Sequence, residues 1–174
     1  EEKMANKTKK SSFKLIMDLV TILLGGLLLG FVALPHVSYE ASSGIIGGGV
    51  STSSSGYDLI NFEEGANTGV AVVLLLIVIF ASLLVLFGLL KLLTDSGTVK
   101  SSVASKVMNF GLAICALALA ALVIANIFTV SNACSAVDGG SFFQAGSYAV
   151  WATLIVNAIL GVGSLVTSLF AWKK

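Results

Sequence analysis

Four long apolar runs set what this chain can fold into: Phe13 to Leu34, Val70 to Leu93, Val103 to Val130, and about Gly146 to Trp172. A helix crosses a hydrocarbon core about 30 Å thick with roughly 20 apolar residues, and each run is long enough to do so. Lipid offers the backbone no water to bond, so a run of this kind satisfies its own peptide groups as a helix. Together the runs use most of the 174 residues and leave no room for a separate soluble domain. Only 11% of residues are charged and the mean hydropathy is +0.99, against about 25% charged residues in an average soluble domain. The expected fold is therefore an all-α membrane protein: one four-transmembrane-helix bundle over residues 1–174, with a small extracellular loop cap on the outer loops 35–69 and 131–145.

Charge placement orients the bundle. All ten basic residues are Lys. In the four-span reading they fall on one side: Lys3, Lys7, Lys9, Lys10 and Lys14 before the first span, Lys91, Lys100 and Lys106 around the middle loop, and Lys173 and Lys174 at the end. Basic residues are retained in the cytoplasm, so the reading is a multi-pass protein of the plasma membrane with both termini cytoplasmic. The loop from Pro35 to Gly69 carries Glu40, Asp58, Glu63 and Glu64 but no Lys, and so lies outside. Trp151 with Tyr148, and Trp172 at the other end of the fourth run, fit the two aromatic belts. The polar start, Glu1 to Lys10, reads as a disordered cytoplasmic arm. There is no basic footprint for nucleic acid.

Within the spans, small and weakly polar residues mark where helices meet, since in lipid close backbone approach and hydrogen bonds replace the hydrophobic effect. Gly26 and Gly30 form a small-xxx-small motif in the first run, with Gly25 beside it. The second run is apolar on every side, with Ala71, Ala81, Ser82 and Gly88 as relief. Lys91 near its end reads as a side chain that lifts its ammonium to the interface. In the third run Ala116, Ala118, Ala120, Ala121 and Ala125 suit a buried position, and Asn109 and Asn126 need partners. The fourth carries Thr153, Asn157, Gly161, Ser164 and Ser168 at helical spacing, one stripe expected to face inward.

Little in the chain looks like chemistry. Asp18 is the only acid within an apolar run and is expected to pair with Lys14 one turn away at the cytoplasmic edge. A proton-relay carboxylate would lie nearer the bilayer midplane, where no span offers a charged partner, which argues against a proton-coupled pump. A cation site could draw on His36, Glu40, Asp58, Glu63 and Glu64, but their spacing matches no zinc or EF-hand pattern. No Ser-His-Asp or Cys-His constellation can be assembled around the single histidine, Cys115 and Cys134 are too far apart along one helix to bridge, and Gly47-Gly48-Gly49 lacks the strand and the Lys-Ser of a phosphate loop. No enzyme activity, cofactor or metal is expected.

In the first loop, Val37 to Tyr39 and Tyr57 to Phe62 flank a Gly/Ser stretch, which suggests a two-stranded cap. Pro35 just after the first span and the later Ser55-Gly56-Tyr57-Asp58-Leu59 make the chain resemble a class of small bacterial four-span membrane proteins. That resemblance covers the first two spans and implies no activity. The layout is also similar to claudin-like tetraspans, but the paired loop cysteines with Trp and Gly-Leu-Trp are missing, as is the Cys-Cys-Gly of tetraspanins, so no junctional role is inferred. The expected function is a non-enzymatic scaffold or accessory subunit that acts through lateral helix packing and an exposed outer loop. Its partners would be the bilayer and copies of itself or other membrane proteins. The alternative is an oligomeric channel lined by the polar face of the third or fourth span.

Overall fold

The computed structural model describes residues 2–42, 49–63, 67–98, 102–135 and 148–172. They form four helices, α1 (Glu2–Val32), α2 (Thr68–Asp95), α3 (Ser102–Ser135) and α4 (Tyr148–Trp172), and one antiparallel hairpin, β1 (Pro35–Ser42) with β2 (Gly49–Ser55). Three helical segments are long and apolar enough to cross a membrane: Ser12–Val32, Thr68–Asp95 and Val103–Ala133. In α4 the apolar stretch among the fully described residues is Ala158–Thr167. Helix α1 begins at Glu2, so the Lys-rich start is helical where polarity alone suggested a disordered arm. Its Glu, Lys, Met and Ala residues are good helix formers, and they extend a helix that the apolar segment has already nucleated.

Each helix packs on its chain neighbour, and α4 closes back onto α1. The buried positions explain how. In α2 they include Val70, Leu74, Ile77, Ala81, Leu84, Gly88 and Lys91. In α1 they are Asp18, Thr21, Gly25, Leu28 and Val32, and in α3 they include Leu112, Ala116, Leu119, Val123, Asn126 and Val130. Every series advances by alternating steps of three and four residues, the seven-residue repeat of helices packed side by side along a narrow seam. Outside the seams lie Val72, Ile79, Leu86 and Leu93 on α2, and Val107, Ile114, Leu117 and Phe128 on α3, all exposed. An apolar exterior of this kind suits a hydrocarbon solvent.

Small residues let the backbones close in. A Cβ on Gly25 would lie 2.9 Å from Val85 Cγ2 and 3.4 Å from the Ala81 carbonyl oxygen, and one on Gly161 would lie 2.7 Å from Val123 Cγ2. Helix α2 is closed at both ends by its own side chains and turn. Asn67 Oδ1 accepts the Val70 N–H at 3.2 Å. At the other end the chain turns at Gly97, whose φ of +83° favours glycine, while the Ser96 and Gly97 N–H groups bond the Leu92 and Thr94 carbonyls.

The hairpin runs from Pro35↔Ser55 to Ser42↔Gly49, with a register shift between Pro35 and Val37. The second strand is thus the Gly/Ser/Thr segment, and the expectation that Tyr57 to Phe62 would pair is corrected. That apolar piece forms a turn from Gly56 to Leu59, and Leu59 and Ile60 pack against the helix core. Burying two large side chains on the bundle end outweighs the strand propensity of the segment.

Candidate functional site

Among the described residues, the ion-paired charges within the helices gather at one place. Lys91 Nζ donates to Asp18 Oδ1 at 2.6 Å across the α1–α2 seam and to Asp95 Oδ2 at 2.6 Å one turn along its own helix. Asp18 and Lys91 are each 1% exposed and Asp95 18%. Two readings from the sequence are corrected here. Asp18 pairs with Lys91 rather than Lys14, and Lys91 turns into the protein instead of lifting its ammonium away from it. The reason is register. Lys91 falls three residues after Gly88 in the α2 seam, and Asp18 falls three before Thr21 in the α1 seam. An ammonium there is desolvated in any case, so a facing carboxylate offsets much of its cost.

Around the cluster the seam is polar for one more turn. Thr21 Oγ1 lies 2.9 Å from both the Met17 carbonyl and Thr167 Oγ1 of α4, and Thr167 Oγ1 in turn donates to the Ser164 carbonyl at 3.1 Å. Thr94 Oγ1 bonds the Lys91 carbonyl. Asp18 Oδ2 is buried and has no hydrogen-bond partner. Two carboxylates thus converge on one ammonium, and one carboxylate oxygen is left bare.

The opposite end of the helices carries the hairpin, fastened by the Ser55-Gly56-Tyr57-Asp58-Leu59 segment. Ser55 and Asp58 form a reciprocal pair: Asp58 Oδ2 accepts from the Ser55 N–H at 3.0 Å and the Ser55 hydroxyl at 2.7 Å, and Ser55 Oγ accepts the Asp58 N–H at 3.2 Å. Those bonds hold the exposed Asp58 carboxyl below the usual carboxylate range. Tyr57 Oη donates to the Leu29 carbonyl at 3.0 Å, supplying a partner for one of the last carbonyls of α1. Gly56 sits where a Cβ would lie 2.7 Å from the Val32 carbonyl oxygen and 3.0 Å from the His36 ring. His36 is wholly buried, and its Nδ1 lies 2.8 Å from the Leu34 carbonyl. A carbonyl only accepts, so Nδ1 carries the proton. Burial pushes the imidazole below its ordinary pKa, partly opposed by that bond.

Other residues marked from the sequence are scattered. Gly26 and Gly30 are exposed, with nothing within 4 Å of an added Cβ; inside the chain the α1–α2 contact falls on Gly25, one residue earlier. Ala116 and Ala120 are buried, but Ala121 faces outward. Asn109 is half-buried, and Asn126 is buried with neither side-chain amide atom bonded. Gly161 and Ser164 are buried, and Ser164 Oγ donates to the Gly161 carbonyl at 2.7 Å. The side chains of Thr153, Asn157 and Ser168 lie outside the described residues. No cluster of His, Cys, Asp and Glu able to hold a metal forms among the described residues. The cation-site reading places His36 under Gly56 and Asp58 on Ser55, while the side chains of Glu40 and Glu64 lie outside the described set.

Compared with protein-family models, curated proteins and solved structures, the chain matches none. The Lys91 cluster was nonetheless traceable in the sequence: Ala81 and Gly88, seven residues apart, mark the packed face of α2, and continuing that repeat reaches Lys91 and Asp95.

Proposed function

We propose that the chain is a non-enzymatic integral membrane scaffold that crosses the plasma membrane four times, keeps both termini in the cytoplasm, and presents the hairpin outside. The observation that carries this reading is the tether at the hairpin base, where Tyr57 reaches the Leu29 carbonyl and Gly56 closes over His36. A loop that served only as a connection would need no such fastening, whereas a loop presented to a partner gains affinity from being ordered beforehand. The one-sided Lys distribution supports the orientation. The exposed apolar flanks of α1, with Leu19, Leu23 and Leu27 around Gly26 and Gly30, suit lateral packing against a second copy or another membrane protein.

Photo-crosslinking in intact cells tests this reading. A photoreactive residue at Ser53 on the hairpin, and another at Leu23 on the α1 flank, are expected to yield discrete adducts, while purified protein in liposomes passes no ion current. Reproducible single-channel currents changed in size or selectivity by Asn157→Asp, with no discrete adducts, would replace the scaffold by an oligomeric channel.

A further inference from the structure

The tether and the lateral flanks leave the buried charge cluster without a use. With all three groups ionised, Asp18 and Asp95 against Lys91 leave one uncompensated negative charge, and the bare oxygen, Asp18 Oδ2, is enclosed in protein with no donor in reach. An unpaired charge removed from water is far costlier than an unpaired hydroxyl, so a group so placed neutralises or is rebuilt around a cation. Among the described side chains no other charge comes to help. On α1, Lys14 is half-buried one turn away and forms no ion pair with Asp18; α4 offers the Thr167 hydroxyl and has no Asp, Glu, Lys or Arg along its length; on α3 Lys106 is exposed.

We propose that Asp18, Lys91 and Asp95 form a proton-binding site that takes up one proton on the Asp18 carboxyl. Loading forms an O–H bond at Asp18 and leaves a neutral set: one carboxylic acid, one ammonium, and the Asp95 carboxylate. Release breaks that bond, returns the proton to water, and restores the bare carboxylate inside the seam. Asp95, the one member with an exposed edge, marks the side from which the proton arrives. The neighbouring contact, Ile22 against Gly88, is close enough that a Cβ on Gly88 would lie 2.6 Å from Ile22 Cγ1, so the two helices touch directly beside the site. The site stands apart from the scaffold reading, which is tested by crosslinks and currents.

Infrared spectroscopy of the full chain in lipid reads the proton directly. The expected result is a carboxylic-acid C=O band at neutral pH that shifts down in heavy water, shifts again when aspartate carboxyls carry carbon-13, disappears at alkaline pH, and is absent from Asp18→Asn. Aspartate isotope labelling of the native chain preserves the test if Asp18→Asn does not fold. Absence of the band at every pH at which the helices stay folded would overturn the proposal, as would a band unmoved by the aspartate label. Stabilisation by sodium but not by choline, with no acid band, would mark the cluster as a cation site instead and equally overturn it.

Discussion

Ile22 of α1 fills the notch left by Gly88 of α2, one turn from the point where Asp18 meets Lys91. Steric fit and ion pair thus occupy successive steps of the same seam. The small residue brings the helices close enough for a short aspartate side chain to reach an ammonium on the facing helix. A polar residue in an apolar seam also fixes register, because sliding by one step leaves the charge unpaired.

Removing the ammonium leaves both Asp18 and Asp95 without their shared partner in a dry seam. Lys91→Met is therefore expected to destabilise the fold by about 3–5 kcal/mol, the range for breaking a buried pair on one side. Lys106→Met, at an exposed position, should cost close to nothing. Asp18→Asn introduced beside Lys91→Met should recover part of the loss. Unfolding in mixed detergent measures all three, and equal stability of the Lys91 and Lys106 variants would contradict the structure.

At the α1–α2 crossing, Gly25→Leu drives a side chain into Val85 and the Ala81 carbonyl, and Gly161→Leu drives one into Val123. Each should cost about 1–3 kcal/mol or more as overpacking. Gly26→Leu and Gly30→Leu project into open space and should leave the monomer fold intact. Thermal melts of the purified variants, together with crosslinking of copies in the membrane, separate an effect on folding from one on association.

Tyr57→Phe removes the hydroxyl that bonds the Leu29 carbonyl, at a cost of about 0.5–1.5 kcal/mol. Gly56→Ala should do more harm, because the added methyl meets the Val32 carbonyl oxygen, which belongs to backbone and cannot swing away. Protease cleavage at a site engineered between Gly49 and Ser55 is expected to speed up slightly in Tyr57→Phe and strongly in Gly56→Ala.

The tether should weaken in acid. Burial lowers the folded pKa of His36 from the ordinary 6.5, so below about that pH the unfolded segment binds a proton that the folded one excludes. The stability that neutral His36 contributes is complete above 6.5 and is lost as the pH falls toward the lowered folded value. Native chain should show accelerating hairpin cleavage, relative to an unstructured control peptide, as the pH drops below 6.5. His36→Gln should flatten that dependence, and an equal acid response in the variant would place the titrating group elsewhere.

Cysteine labelling checks the orientation. Of single cysteines placed at Ser53 and Ser101, the first alone should react with an impermeant thiol reagent outside intact cells. The expectation follows from the ten lysines on one side of the four-span reading. Reaction at Ser101 from outside would invert the topology.

The apolar runs, read for length alone, place all four helices to within a few residues, apart from the Lys-rich extension of α1. That follows from physics that is local to the chain: a long apolar run in lipid has only the helix open to it, and Pro35 lies just beyond the end of the first one. Which face of each helix turns inward is not local. Helix α2 is apolar nearly all round, so hydropathy gives no preferred side and the spacing of Ala81 and Gly88 is its one mark; contact with α1 selects the seam through them and carries Lys91 into it. For the same reason Gly25 rather than Gly26 lies at the crossing, and Asp18 finds its partner 73 positions away instead of four. The use of Ser55 to Leu59 was equally hidden. Only when the hairpin folds back over the end of α1 do Gly56, Tyr57 and His36 meet Val32, Leu29 and Leu34, because the carbonyls they need become available where that helix stops.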